Sequence, residues 1–235
     1  MPHVAVFGAS SGVGLALVQR LALHGAVTAV SRRGPPEAER SAETGTVRWL
    51  PCDVRDAEQI DRLFARHGDD FEMVVNCVGI GAYAPFEQGF APYWQDIVST
   101  NLLGAVHILA ATAKRAPRCS HVLGVGSLAA RRPSPTPGND VYAASKLAFE
   151  RLHEDFRLRL HQDGRTMKVT VVTPGFIGNT DFGHTFFRSA PDLARDLYTA
   201  FQPLQPDDVA ASVEWCLARP DHVEITGLTL RPMGQ

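Results

Sequence analysis

The sequence predicts an α/β fold, a parallel, doubly wound sheet of seven strands with helices on both faces. Three observations carry that expectation. Short apolar, β-branched runs alternate with longer segments of helical spacing along the whole chain, as repeated β-α units require. Most of these runs lack polar alternation, which suits strands covered on both faces. The first run leads straight into a glycine-rich turn, GASSGVG at residues 8–14, that opens a helix.

In chain order, the strands are HVAVFG (3–8), AVTAVS (26–31), TVRWLPCDV (46–54), EMVVNCVG (72–79), HVLGVGS (121–127), KVTVVTPG (168–175) and GLTLRP (227–232). Helical stretches start near Gly12, Asp56, Tyr93, Asp140, Pro191 and Asp207. The fourth is the clearest: after an Asn139/Asp140 start, AASKLAFERLHEDFRLRL carries apolar residues at helical spacing. The last runs from Asp207/Asp208 to a stop at Pro220. This is the Rossmann class of sheet, and one domain over 1–235 is expected. Two segments resist a regular reading, the proline-dense 128–140 and the stretch from 176 to about 205, whose first part is aromatic and contains glycine. Both follow a strand, where open α/β sheets bind ligands, and both are read as substrate loops. Plain surface connections are the alternative.

Composition narrows the function. The 235 residues are 45% hydrophobic and 20% charged with a formal charge of −2, so a core is expected and a basic field for nucleic acid or an acidic membrane is not. No apolar stretch approaches the roughly 20 residues of a membrane span, and the N-terminus enters a strand without a basic leader. A cytoplasmic protein is expected. Cys52, Cys77, Cys119 and Cys216 are widely spaced, which reads as free thiols in a reducing compartment. The nine histidines form no zinc pattern, and no metal site is expected.

Gly8, Gly12 and Gly14 permit a tight turn whose helix-opening N–H groups point at a bound anion, and a pyrophosphate fits that chemistry. A Gly-rich turn without a ligand is the alternative. The second strand ends in Ser31, Arg32 and Arg33 with no carboxylate. Dinucleotide folds that bind NAD place an acid there, whereas a 2′-phosphate needs guanidinium charge, so Arg32 and Arg33 point to NADP(H). The chain has 20 Arg and only three Lys, of which Lys146 follows Tyr142 by one helical turn in YAASK. A phenol with a pKa near 10 is a poor acid at neutral pH, and a nearby cation favours its phenolate. Taken alone, such a pair is common on ordinary helices.

The order of motifs is more specific than any one of them. GASSGVG, CDV ending the third strand, NCVG ending the fourth, STN with Asn101, Ser127 ending the fifth, YAASK, and TPG after the sixth follow one another. In this the chain resembles the short-chain dehydrogenase/reductase family, in its single-domain, NADP(H)-preferring branch, over essentially its whole length. The resemblance implies that Tyr142 exchanges a proton with the substrate oxygen, Lys146 lowers its pKa and holds the nicotinamide ribose, Ser127 bonds the carbonyl oxygen, and Asn101 keeps a bent helix in the proton relay. It further implies cofactor contacts from Gly8, Ser10, Ser11, Gly12, Val13 and Gly14, from Ser31, Arg32 and Arg33, from Asp53 and Val54 at the adenine, from Asn76 and Gly79, and from Pro174, Gly175, Ile177 and Thr180 at the nicotinamide. Phe7 and NCVG depart from the family's usual residues, and Thr180 lies one place late.

The implied activity is an NADPH-dependent reductase of a ketone, possible also in the alcohol-oxidising direction and in a biosynthetic setting. The alternatives are an NADP-dependent dehydrogenase oxidising a sugar or hydroxy acid, and a non-catalytic NADP-sensing protein. Phe86, Phe90, Tyr93, Trp94, Phe176, Phe182, Phe186 and Phe187 are read as wall for a small-molecule ketone or alcohol or, equally, as plain packing. The resemblance also implies a homodimer or homotetramer through the last helix and strand.

Overall fold

The computed structural model describes residues 2–36, 46–88, 91–132, 138–178, 180–188, 192, 195 and 199–235. Its seven strands are β1 Val4–Phe7, β2 Val27–Ser31, β3 Val47–Pro51, β4 Met73–Asn76, β5 His121–Val125, β6 Lys168–Pro174 and β7 Gly227–Leu230. They form one sheet in the order β3-β2-β1-β4-β5-β6-β7, with every neighbouring pair parallel. The strand order reverses between β1 and β4, which opens a crevice beyond their carboxyl ends.

The helices are α1 Gly12–Ala22, α2 Ala57–His67, α3 Ala91–Val98, α4 Gly104–Arg115, α5 Asp140–Gln162, α6 Asp181–Phe186 and α7 Pro206–Leu217. A π-helical turn, Ser99–Leu103, joins α3 to α4. Sequence chemistry explains the ends. Asp56 caps α2 by accepting the Glu58 and Gln59 N–H groups, and α7 opens with Pro206 at its first position and a capping box of Gln205 and Asp208.

The period of two along β1 divides its side chains between two cores. Val4 and Val6 pack with Leu17 and Leu21 of α1 and Val209 and Val213 of α7. Ala5 and Phe7 face the other way, toward Ile60 and Phe64 of α2 and Ile108 of α4. All strand residues of β1, β2, β5 and β6 are buried, and each large apolar side chain so buried contributes about 1.5–3 kcal/mol. Arg20 clamps α1 to α7 through Asp207 at 3.1 Å and Glu214 at 2.8 Å.

Two sequence expectations need correction, and a third falls outside what the structure describes. The segments left irregular contain a 3₁₀ turn, Leu128–Ala130, and the short helix α6. The helix expected from near Pro191 lies largely outside the described residues. The continuous run Pro92–Arg115 is long and apolar enough to cross a membrane by length and composition, and half of that apolar window is buried in the protein. Ile97, Ala105, Ile108 and Leu109 in this run are core residues.

Candidate active site

One cavity of about 690 Å³ runs across the carboxyl ends of the strands. At one end, the turn after β1 approaches α1 closely. A Cβ on Gly14 would stand 2.2 Å from the Gly8 carbonyl oxygen, and Gly8 and Gly12 have φ of 80° and 54°. Glycine is therefore required at these three positions for the turn and helix to approach so closely. Ser11, the α1 N-cap, makes no side-chain capping bond, and no acid occupies the first turn of the helix. The N–H end of the helix dipole faces the cavity free of an internal anion. Ser10, Ser11, Gly12 and Val13 line it with Gly8 and Gly14.

Arg32 and Arg33 follow β2 at the same end, both exposed and both on the cavity wall. Ser31 also lines it, but its hydroxyl donates to the Gly34 carbonyl at 3.2 Å and shapes the turn. Asp53 and Val54 stand beyond β3. The Asp53 carboxylate is engaged by Arg55 at 2.7 Å, whose hydrogen bonds hold its pKa below the usual carboxylate range. Among the described residues the acid on the wall at this end is therefore already paired. Arg55 went unread in the sequence; its position two residues after CDV was the available signal.

Tyr142, Lys146 and Ser127 meet at the centre. Ser127 lies two residues beyond β5 and caps the 3₁₀ turn by accepting the Ala129 N–H at 3.2 Å. Its side chain stands on the same wall as the Tyr142 phenol and favours the ionised form of that phenol. Burial pushes the Tyr142 phenol up to about 12, with Ser127 pulling the other way. Burial pulls the Lys146 ammonium down to about 8, opposed by Cys77 and Glu150. The expectation that Lys146 lowers the tyrosine pKa is thus not met in this structure. The shared helix face brings the two side chains together, but the ammonium turns back to the Val125 carbonyl at 2.9 Å and over the Phe149 ring at 4.9 Å. Gly79 leaves room for it, since a Cβ there would lie 3.1 Å from Nζ.

Asn76 and Asn101 stand behind the cavity wall. Asn76 accepts the Val78 N–H at 2.9 Å and shapes the turn after β4. Asn101, in the π turn, accepts the Ile80 N–H and donates to the Ile80 carbonyl, both at 2.9 Å, and donates to Ser145 Oγ at 3.0 Å. Ser145 in turn donates to the Tyr142 carbonyl at 2.7 Å. Asn101 therefore ties the β4 turn to the helix that carries Tyr142. Ser145, inside YAASK, was not singled out in the sequence.

Pro174, Gly175, Ile177 and Thr180 line the remaining side. Thr180 caps α6 through the Gly183 N–H at 3.3 Å, and its methyl lies 3.7 Å from where a Cβ on Gly12 would stand. From there α6 crosses the cavity until Phe182 and Phe186 reach Tyr142, at ring-centroid distances of 5.4 and 5.7 Å. The Tyr83 N–H donates to the Phe186 carbonyl at 2.8 Å, and the Ala84 N–H to the Gly138 carbonyl at 2.9 Å. Main-chain bonds thus join three loops into one roof. Phe176 and Phe187 also line the cavity, whereas Phe86, Tyr93 and Trp94 do not; Phe86 and Tyr93 are exposed on the outer side, and Phe90 lies outside the described residues. Tyr83, Arg132, Phe201 and Gln235 line the cavity without having been read as site residues. Among the described residues no cluster of His, Cys, Asp or Glu is arranged to hold a metal, and all four cysteines are free. Cys77 touches the cavity, but burial holds its thiol up at about 12.

A switch-point crevice with a glycine-rich phosphate cradle defines a dinucleotide-binding protein of the Rossmann class. The sequence profile described as short chain dehydrogenase matches residues 2–190. The chain belongs to that family, and it is an oxidoreductase acting between a carbinol carbon and its carbonyl. It is 28% identical over 240 residues to the NADP-dependent 3-hydroxy acid dehydrogenase YdfG of Shigella flexneri, covering 99% of this chain and 95% of that protein. It is 29% identical over 242 residues to the serine 3-dehydrogenase of Rhizobium radiobacter, covering 99% and 94%. The closed form of a serine dehydrogenase complexed with NADP+ superposes with a TM-score of 0.86 at 27% identity, covering 97% of this chain and 94% of that one.

Proposed function

We propose that the protein interconverts a 3-hydroxy acid and the corresponding 3-oxo acid with NADP(H). The meeting of Tyr142, Ser127 and Lys146 in the cavity that also holds the phosphate cradle carries this reading. The sequence had favoured a general ketone reductase, with a hydroxy-acid dehydrogenase as the alternative. The names of the relatives support the alternative, and the two are one reaction read in opposite directions.

The residues present fit the cofactor. Its pyrophosphate has the cradle of Gly8 to Gly14, its 2′-phosphate Arg32 and Arg33, and its adenine the wall at Asp53 and Val54. Gly79, Pro174, Gly175, Ile177 and Thr180 flank the nicotinamide end. When bound, NADP(H) supplies the hydride exchange. The protein's share is to orient the substrate and move a proton. Ser127 bonds the substrate oxygen and Tyr142, held neutral by burial, donates to it in reduction. Lys146 supplies positive charge beside the ribose, and Asn101 fixes the helix on which both stand.

The whole 235-residue chain acts as one domain, with 128–140 and 176–205 as its substrate loops. It works in the cytoplasm on a small molecule, as a homodimer or homotetramer assembled through α7 and the edge strand β7. Support for these is general: free thiols suit a reducing compartment, and β7 has an open edge in this chain.

Initial rates with NADP+ on 3-hydroxy acids, and with NADPH on 3-oxo acids and neutral ketones, test the activity. Turnover is expected with the acids, and its complete absence with every substrate overturns the reading. Arg32→Ala is expected to weaken NADPH binding by about tenfold or more, the scale of one charged hydrogen bond, while NADH binding stays the same. Unaltered NADPH affinity removes the 2′-phosphate assignment.

A further inference from the structure

The substrate end of the cavity has an uneven chemistry. Tyr83, Phe176, Phe182, Phe186 and Phe187 face it, and their rings pack on one another and on Tyr142. The cations on the cavity wall are Arg32 and Arg33 beyond β2, Lys146 at the centre, and Arg132, which follows the Ser127 turn beyond β5. Arg131, next to it, is engaged by Glu150 at 2.9 Å and Thr229 at 3.0 Å. Arg132 is exposed, and its guanidinium has no acid partner among the described residues.

Acids are placed differently. The wall holds Asp53, engaged by Arg55, and Asp181 in the first turn of α6. Thr180 stands against Gly12, so the Asp181 end of α6 lies over the phosphate turn and the Phe186 end over Tyr142. Around Tyr142 and Ser127 the described residues of the wall therefore offer rings and two cations, Lys146 and Arg132, and no anion.

Resting on the hydroxy-acid reading above, we infer that the substrate is a 3-hydroxy acid with an apolar aryl or branched substituent at C3, packed under Phe182 and Phe186 with its carboxylate on Arg132. A guanidinium pairs with a carboxylate through two parallel hydrogen bonds and so fixes which carbon faces Tyr142. Rings bury an apolar body in van der Waals contact. An α-ammonium group, as in serine, would be desolvated without a counter-charge, and attraction to a ring face is smaller than that cost. Arg132 and Phe186 are thus specificity-determining residues, and this chain differs in substrate from relatives named for serine.

The test compares kcat/KM for 3-oxo-3-phenylpropanoate, its ethyl ester and acetoacetate with NADPH, and for 3-hydroxy-3-phenylpropanoate and serine with NADP+. The wild type is expected to prefer the aryl acid over its ester by about tenfold or more, the scale of a charge-assisted hydrogen bond, and the aryl hydroxy acid over serine by at least as much. Arg132→Met brings the acid down to the level of the ester, chiefly through KM, and Arg132→Lys restores part of the difference. Phe186→Ala narrows the gap between the aryl acid and acetoacetate. NADPH affinity of each variant verifies the fold. Equal rates on acid and ester in the wild type, an undiminished preference in Arg132→Met, or serine as the better substrate overturns the inference while leaving a hydroxy-acid enzyme in place. Turnover of neutral ketones with none of any acid overturns the hydroxy-acid reading itself.

Discussion

Tyr142 and Lys146 share one face of α5, yet burial drives them apart in pKa, to about 12 and about 8. At neutral pH the phenol keeps its proton, which is the form that donates to an oxyanion. The lysine is charged below about 8 and loses that charge as pH rises through it. NADPH affinity is therefore expected to weaken above about pH 8, and Lys146→Met is expected to bind less tightly with no such step; a titration of Kd against pH from 6 to 10 checks both. Tyr142→Phe removes the exchangeable proton and keeps the ring that packs on Phe182 and Phe186. Turnover should fall by about a hundredfold or more, the usual yield of a positioned acid, with NADPH affinity near that of the wild type. The pair was legible in YAASK because the i, i+4 spacing and the rarity of lysine are sequence properties. The turn of Nζ toward the Val125 carbonyl was not, since it depends on where β5 ends relative to α5.

The elements were read with small errors that have local causes. β3 was expected to reach 54 and stops at Pro51, because its partner strand β2 ends at Ser31, whose carbonyl accepts the Cys52 N–H at 3.2 Å. The π turn around Asn101 went unread because a single wide turn, Ser99–Leu103, is too short to stand out within an apolar helical pattern. Aromatic content marked the segment around 86–94 as pocket wall, but composition does not say which side of a helix faces a cavity, and Phe86 and Tyr93 face outward. The roof shows what α6 needs from its neighbours. A Cβ on Gly81 would come within 2.6 Å of the Phe186 ring and 2.9 Å of the Phe182 ring. Gly81→Ala is expected to lift α6 from Tyr142 and raise KM for the substrate several-fold, with NADPH affinity and Tm little altered. Steady-state kinetics beside a cofactor titration separates those quantities, and a rise in both KM and Kd counts against the roof as a separate unit.

Across the whole molecule, two buried histidines link stability to pH. His121 and His153 are both about 1% exposed, and Nδ1 of the first and Nε2 of the second have no hydrogen-bond partner. Burial holds both pKa values down at about 4, whereas an unfolded histidine titrates near 6.5. The folded state thus binds fewer protons between these values, so their contribution is intact above about 6.5 and is lost as pH falls toward 4. Urea midpoints should decline from pH 7 to 5 and the slope should flatten in His153→Gln; a level midpoint over that range removes the assignment. The seven-stranded architecture was open to reading from the sequence because buried parallel strands are nearly continuous apolar runs. The ring-lined chamber was not, because it is built from loops far apart in the chain. Its fastening uses main-chain atoms alone, the Tyr83 amide on the Phe186 carbonyl and the Ala84 amide on that of Gly138. Exchange of Tyr83, Phe182 or Phe186 for other residues reshapes the chamber and leaves its closure intact. Descendants of this chain can therefore take up new alcohols by ordinary point mutation without first reinventing how the chamber shuts.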